Sequence, residues 1–329
     1  MSFNFASFFR LSGRIVTVGF GAWIALADPA LAQGRLAVSG TTVSLVPAEG
    51  FAAATGFSGL QNPQTHATLV VAEMPPVAHA QVSKLFETLD AAKTNFAKQN
   101  VLVQTIEQID IAGGKAPLIT GSQDVAGTRF DKWISLIKGD RTVIVTVQSP
   151  RTAGLKAAEV KAMLSTIALG AEPGIADKLS ALPFRIGPAE PFRIVDVLGG
   201  STIIMTAGPL DVDPAATQPM LIVSYQLSGR VAADKLQATA EELLKTTRGF
   251  GTASVESRQA VRFAGRDAIV IAGSHTSASG AAKRFAHYMA IGESARYLRM
   301  IVSADAARFD ALQPAIKAIV DSAAFADRP

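Results

Sequence analysis

The chain has 329 residues, of which 49% are hydrophobic and 18% charged, a composition typical of globular rather than disordered proteins. It contains no cysteine, which excludes disulfides, thiolate metal sites and a cysteine nucleophile. The net charge of +4 comes without a run of lysine or arginine of the kind that marks a nucleic-acid surface, so we expect no nucleic-acid partner.

Residues 1–32 have the pattern of a secretory signal peptide. Arg10 and Arg14 form a positive region before an apolar run over 15–27, and Ala30-Leu31-Ala32 is a small-residue cleavage site. The apolar run is shorter than the roughly 18–20 residues that span a bilayer, which favours cleavage over a membrane anchor. We therefore predict a periplasmic or secreted protein with no stable membrane span after cleavage.

The first half of the chain predicts an alternation of strands and helices. Strands are expected over 41–47 and 67–74, with a loop over 48–63 between them. Apolar residues spaced by three and four predict an amphipathic helix over about 79–98. Four further strands (about 101–109, 115–123, 129–137 and 142–148) precede a closing helix, and Gly113-Gly114 predicts a tight hairpin turn.

The second half repeats this order after a proline- and glycine-containing linker over 171–190. Strands are predicted over about 191–198, 201–207 and 219–227, followed by a helix over about 231–246. Four strands (about 254–263, 267–276, 282–291 and 295–303) and a final helix complete this half.

The two halves also match in sequence, which indicates a tandem duplication. Six residues recur at an offset of 152: Ala112, Gly113, Ala116, Ile119, Gly121 and Ser122 return as Ala264, Gly265, Ala268, Ile271, Gly273 and Ser274. Further on, Phe130 and Trp133 align with Phe285 and Tyr288. We predict a first repeat over 36–170 and a second over 191–327.

Short turns between neighbouring strands require antiparallel pairing, because a parallel return needs a crossover of a dozen or more residues. The fold class is therefore α+β, with two tandem α/β/α sandwich domains, each an antiparallel sheet flanked by helices.

The order of these elements resembles the Mog1/PsbP-like superfamily, in particular its bacterial, periplasmic-type members. The residues that carry the resemblance are Val43, Leu45, Pro47, Gly113, Ala116, Trp133, Val145, Pro150, Ser165 and Ile167. The second repeat departs from the pattern at its start, where 200–209 replaces the Ser-Leu-X-Pro run. The resemblance implies a three-layer α/β/α sandwich and a binding or assembly role without a catalytic motif.

One pattern repeated in both halves predicts a binding surface. Arg129-Phe-Asp-Lys-Trp133 and Arg284-Phe-Ala-His-Tyr288 each place two basic residues beside an amphipathic aromatic one, and tryptophan and tyrosine are enriched at interaction sites. The candidate binding residues are Arg129, Lys132, Trp133, Arg284, His287 and Tyr288. The alternative is that Trp133 and Tyr288 are core residues with the basic residues at their rim.

The remaining motifs do not predict catalysis, a cofactor or a metal. Gly56-Phe-Ser-Gly59 lacks the frame of a nucleophile elbow, and Ser274 and His275 point to opposite faces of one strand. Neither Gly113-Gly-Lys115 nor Gly249-Phe-Gly251 has a phosphate-loop frame. Asp211 and Asp213 provide too few oxygens for calcium.

The sequence thus predicts a secreted, non-enzymatic binding or assembly protein of the bacterial cell envelope. Its binding surface would be the cleft between the repeats or the aromatic strands, and its partner an unknown envelope protein or small molecule. The alternative is an envelope hydrolase with a dispersed serine and histidine site drawn from residues such as Ser58, His66 and His275. In a third interpretation, one repeat only stabilises the other.

Overall fold

A computed structural model describes residues 34–125, 127–213, 216–227, 230–277 and 280–326. The predicted signal peptide over 1–32 lies outside the described residues. The described residues form two compact units, a first unit of 34–54 with 58–173 and a second unit of 55–57 with 174–326. In these ranges no helix is long and apolar enough to cross a membrane.

The first unit is built mainly from antiparallel strands. Its strands are β1 (Leu36–Ala37), β2 (Val43–Leu45), β3 (Ala52–Ala53), β4 (Gly59–Gln61), β5 (Thr68–Met74), β6 (Val101–Ile111), β7 (Gly114–Val125), β8 (Thr128–Lys138), β9 (Thr142–Pro150) and β10 (Ala168–Leu169). Its α-helices are α1 (His79–Val82), α2 (Leu89–Ala97) and α3 (Ala157–Ser165), and its 3-10 turns span Pro76–Ala78, Ser83–Phe86 and Arg151–Ala153.

Seven of these strands form one antiparallel sheet in the order β3-β4-β5-β9-β8-β7-β6. One face of the sheet packs against α3 through a core that contains Trp133, Val145 and Leu164. Residues that alternate with these, such as Ile134 and Ile144, are also buried and point to the opposite face.

The second unit has the same architecture. Its strands are β11 (Phe184–Arg185), β12 (Arg193–Leu198), β13 (Thr202–Thr206), β14 (Met220–Tyr225), β15 (Ser254–Phe263), β16 (Arg266–Thr276), β17 (Ala282–Ile291), β18 (Tyr297–Asp305) and β19 (Ala324–Phe325). Its α-helices are α4 (Ile175–Ser180), α5 (Leu236–Thr246), α6 (Ala306–Phe309) and α7 (Gln313–Ser322), with 3-10 turns at Ala233–Lys235 and Asp310–Leu312.

The large sheet of the second unit has the order β12-β13-β14-β18-β17-β16-β15, which repeats the order of the first sheet. One face forms a core with α7 through Ile316 and Ile319. The other face forms a separate core with α5 through Ala240 and Leu244. The predicted fold class, α+β with antiparallel sheets flanked by helices, is confirmed.

The stretch predicted to be a linker, 171–190, contains ordered elements of the second unit. Leu182 and Phe184 belong to its core, and β11 pairs with β19 after the last helix. In the first unit β2 pairs in the same way with β10 after α3. Residues 184–185 therefore occupy the place that 43–45 occupy in the first unit, and the repeat boundaries at 170 and 191 stay a proposal.

Three local predictions need correction. The single helix over 79–98 is wrong, because Thr88 has an extended backbone and its Oγ1 accepts a hydrogen bond from the N–H of Ala91, which makes it the N-cap of a new helix, α2. The predicted loop over 48–63 contains β3 and β4. The hairpin turn lies one residue earlier than predicted, since Ile111 pairs with Gly114 and Ala112 and Gly113 have positive φ.

Candidate functional site

Lys132 lies inside the first large sheet, on the face opposite Trp133. It pairs with Gly121 on β7 and with Gln148 on β9, and directly opposed residues share a face. The residue is only 1% exposed, and this burial lowers the pKa of its amine to about 7. A buried amine with a displaced pKa marks a candidate functional position.

Strand register shows that the aromatic strands of the two repeats are not aligned as the sequence suggested. Gly121 and Gly273 are equivalent, since each lies against the carbonyl of an edge-strand residue, Leu102 or Ser254. Gly121 pairs with Lys132, and Gly273 pairs with Phe285. Lys132, and not Phe130, is therefore the residue of the first repeat that corresponds to Phe285. The alignment of Phe130 with Phe285 is therefore wrong by two residues.

The error had a physical cause: a shift of two residues leaves every side chain on the same face of a strand, so the apolar pattern cannot detect it. With the register corrected, Lys132 occupies the place of Phe285, and Ile134 occupies that of His287. Ser135, rather than Trp133, occupies the place of Tyr288.

Arg129 and Trp133 do not form a joint surface. Arg129 is exposed and donates a hydrogen bond from Nη2 to Oγ of Ser122 at 3.1 Å. Trp133 is 5% exposed and packs in the core beneath α3. The tryptophan is therefore a core residue, as the alternative in the sequence analysis had it.

Arg284 and Tyr288 lie on the corresponding face of the second sheet. Arg284 forms an ion pair with Asp310 at 2.7 Å, and its guanidinium lies 5.2 Å from the ring centre of Phe309. Tyr288 packs against the core beside Phe263, with ring centres 6.0 Å apart, and its burial raises the pKa of its hydroxyl. The contacts of both residues are thus structural.

His287 lies on the other face of β17, beneath α5, and is fully buried. Its Nε2 accepts a hydrogen bond from Nε of Arg299 at 2.8 Å, and Nη2 of Arg299 donates to Oγ1 of Thr247 at 2.6 Å. Burial and the neighbouring charge of Arg299 hold the pKa of His287 well below its usual value, while burial lowers the pKa of Arg299 to about 10. The pair places a positive charge beneath the apolar face of α5.

His275 forms a second polar group at the end of the same face. Its Nε2 lies 2.8 Å from Oγ of Ser303, and the ring of Phe250 packs against its ring in a tilted arrangement with ring centres 4.3 Å apart. Burial lowers the pKa of His275.

A carboxylate lies in the next position across the sheet but is already paired. His275 is opposite Lys283, and Lys283 is opposite Asp305. Lys283, which is 3% exposed, donates to Oδ1 of Asp305. Nδ1 of His275 makes no side-chain hydrogen bond among the described residues, so the arrangement is a serine–histidine pair without an orienting carboxylate.

The other residues named for a hydrolase do not come together. Ser58 is 1% exposed, and its Oγ has no hydrogen-bond partner within the described ranges. His66 lies in a left-handed turn with φ of 59°. No hydrogen bond joins the two side chains in the described part of the chain.

The loop carboxylates have structural partners. Asp211 pairs with Arg193 at 2.6 Å, and Asp213 accepts hydrogen bonds from Thr217 and from the backbone N–H of Gln218. The described residues hold no group of three or more histidine, aspartate or glutamate side chains that could bind a metal.

The sequence reasoning missed Arg299 and Ser303. Tyr297, Arg299, Ile301 and Ser303 alternate along β18 and share one face. A signal was present, because an arginine among alternating apolar residues of a strand covered on both faces is unusual. This signal has meaning only once both faces of β18 are known to be covered, which the structure shows.

No protein-family model and no curated protein matches the chain, so the resemblance to the Mog1/PsbP-like superfamily stays a prediction. Among solved structures, the chain is similar to LpqN, involved in cell envelope biogenesis of Mycobacterium tuberculosis. The identity is 17%, the match covers 43% of this chain and 82% of LpqN, and the TM-score is 0.34.

A second similarity is to TplEi, a T6SS immunity protein of Pseudomonas aeruginosa. The apo structure is 10% identical over 89% of this chain and 97% of that one, with a TM-score of 0.31. Its complex with the "L" peptide is 12% identical over 85% of this chain and 99% of that one, with a TM-score of 0.28. Identities and TM-scores this low carry no conclusion about function.

Proposed function

We propose that the protein is a periplasmic or secreted, non-enzymatic binding protein of the bacterial cell envelope, and that its second unit holds the ligand. The observation that carries this proposal is the pair of the fully buried His287 and the partly buried Arg299. Strand pairing puts Ile134 and Ile144 at the corresponding places in the first unit. The same architecture therefore forms with two apolar residues where the second unit has two basic ones.

A binding role fits these side chains better than a catalytic one. His287 is fully buried and accepts a hydrogen bond from Arg299, so the lone pair that a general base would use is occupied. His275 has a serine within reach, but the carboxylate beside it is paired with Lys283. A site that lacks an activated nucleophile can still recognise a ligand.

The proposal is tested on protein recovered from the periplasmic fraction of a bacterial host. Native mass spectrometry of this protein should show a bound small molecule, and the His287→Ile, Arg299→Ile double variant should lack it. A matched variant, Arg266→Ala, removes a surface arginine that pairs with Glu293 and should keep the molecule. Retention of the wild-type chain in the cytoplasm, or an adduct that persists in the double variant, would contradict the proposal.

The serine–histidine pair supports a second candidate function, ester hydrolysis. Ser303 Oγ and His275 Nε2 are 2.8 Å apart, which is the separation that a nucleophile and its base require. Hydrolysis of p-nitrophenyl esters by the wild type that is abolished in both Ser303→Ala and His275→Gln would establish this activity. Equal rates in all three chains would exclude it at this pair.

A further inference from the structure

Arg299 carries a positive charge that the surrounding protein does not balance with a carboxylate. Its described partners are Nε2 of His287 and Oγ1 of Thr247, and both are neutral acceptors. Among the described residues no aspartate or glutamate forms an ion pair with Arg299. Arg299 is partly buried, and even partial burial of a cation without a counter-charge is costly, so an anionic group bound here would be stabilised.

His287 adds an unused donor to the same place. Because Nε2 accepts from Arg299, the proton of the neutral ring is on Nδ1. Nδ1 is buried and has no hydrogen-bond partner in the described part of the chain. A buried donor without a partner is uncommon in native proteins and calls for a ligand, an ordered water or a functional reason.

The end of α5 offsets part of the charge of Arg299. Oγ1 of Thr247 donates to the carbonyl of Leu243 while it accepts from Arg299, and this relay connects the guanidinium to the last turn of the helix. The C-terminus of a helix carries only about half a negative charge. The offset is therefore incomplete, and the site stays positive.

The fold itself does not require the pair. Ile134 and Ile144 are buried at the corresponding places of the first unit, 0% and 2% exposed. Both repeats have the same order of seven strands. His287 and Arg299 in place of two isoleucines therefore lower the stability of the core without being needed for the fold. Such a local departure from an apolar core is typical of a functional site.

The surroundings of the pair are apolar and aromatic. Tyr297 lies two residues from Arg299 on the same face of β18 and belongs to the core beneath α5. Phe250 follows Thr247 in a turn closed by a backbone hydrogen bond of 3.0 Å. Leu243 and Phe250 are only partly buried against this core, so an apolar body could lie against them.

We infer that Arg299, with His287 and Thr247, binds the carboxylate of a small amphipathic acid whose apolar body packs against the side chains beneath α5. A guanidinium has five N–H donors, and His287 and Thr247 take two of those of Arg299. The remaining donors match the two oxygens of a carboxylate, which arginine binds in a fork. This inference rests on the proposed binding function and specifies the ligand class.

The test is calorimetric titration of the periplasmic protein with octanoate, 1-octanol and inorganic phosphate. Octanoate should bind, and 1-octanol, which has the same apolar chain without the charge, should bind at least tenfold more weakly. The His287→Ile, Arg299→Ile double variant should lose at least tenfold in octanoate affinity, and Arg266→Ala should keep it. Arg299→Lys, which retains the charge without the fork, should also bind at least tenfold more weakly.

Four outcomes overturn the inference: octanoate affinity unchanged in the double variant, 1-octanol binding as tightly as octanoate, phosphate binding in place of octanoate, or no octanoate binding. Tyrosine absorbance verifies that the variants are folded, since Tyr225, Tyr288 and Tyr297 are the only tyrosines and all lie in the second unit. If octanoate fails but a molecule lost in the double variant co-purifies, the ligand class is wrong and the proposed function stands. If both fail, the proposed function falls as well.

Discussion

Replacement of Lys132 by methionine should change the stability of the first unit by an amount that depends on pH. Lys132 is 1% exposed, and burial lowers its pKa from 10.5 to about 7. The unfolded chain holds the proton up to about pH 10.5, so the cost of the buried charge is fully present below pH 7 and disappears as the pH rises towards 10.5. At pH 7 the lowered pKa corresponds to a loss of roughly 4 kcal/mol in the free energy of unfolding. This value is an upper bound, because the surroundings of a buried charge relax.

The pH dependence of the stability difference tests this reasoning more directly than its value at one pH. Between pH 7 and about pH 9, the free energy of unfolding of the wild type should rise by about 2 kcal/mol relative to Lys132→Met. Cleavage of the predicted signal peptide over 1–32 would remove Trp23, one of the two tryptophans of the chain, so the fluorescence of Trp133 in the cleaved protein reports unfolding of the first unit alone. Urea titrations at several pH values then give the difference directly.

A matched control lies on the same strand. Lys138 is exposed at the end of β8, and Lys138→Met should leave both the stability and its pH dependence nearly unchanged. If the stability difference between Lys132→Met and the wild type is constant from pH 7 to pH 9, the pKa of the amine is not lowered and the reasoning from its burial is refuted.

Three further predictions concern the second unit and are measured by tyrosine-monitored unfolding. Because the pKa of His287 is depressed in the folded state, the stability from its neutral form is full above about pH 6.5 and should fall by up to about 1.4 kcal/mol per unit as the pH drops below it; a flat profile would contradict this. Ala295 has φ of 57° in the turn between β17 and β18 and is only partly buried, so Ala295→Asn should raise stability by about 0.5–1 kcal/mol, and a loss would show that the turn has another conformation. A Cβ on Gly273 would lie 2.0 Å from the carbonyl oxygen of Ser254, so Gly273→Ala should cost more than about 2 kcal/mol, whereas Gly114→Ala in the first unit, where a Cβ meets nothing within 4 Å, should be tolerated when followed by Trp133 fluorescence.

The candidate site was accessible to sequence reasoning only in part. His287 of the site, and Lys132 in the first unit, were predicted as binding residues because basic residues beside aromatic ones stand out in the sequence. Their burial was not predicted, since alternation assigns a face of a strand but does not say how deeply helices cover it. Arg299 and Thr247, which complete the site, are far apart in the chain and meet only because β18 and the end of α5 are packed together.

The sequence by itself determined the α+β class and the antiparallel connections, because period-two alternation and short glycine-containing turns leave few other arrangements. It also showed that the chain repeats, through glycines and small residues that the hairpins require. Tertiary structure alone decided the register between the repeats, since a shift of two residues preserves the face of every side chain and therefore has no signature in the apolar pattern. That register decides which residues of the two repeats correspond. It shows that two buried isoleucines of the first repeat are replaced by a histidine and an arginine in the second.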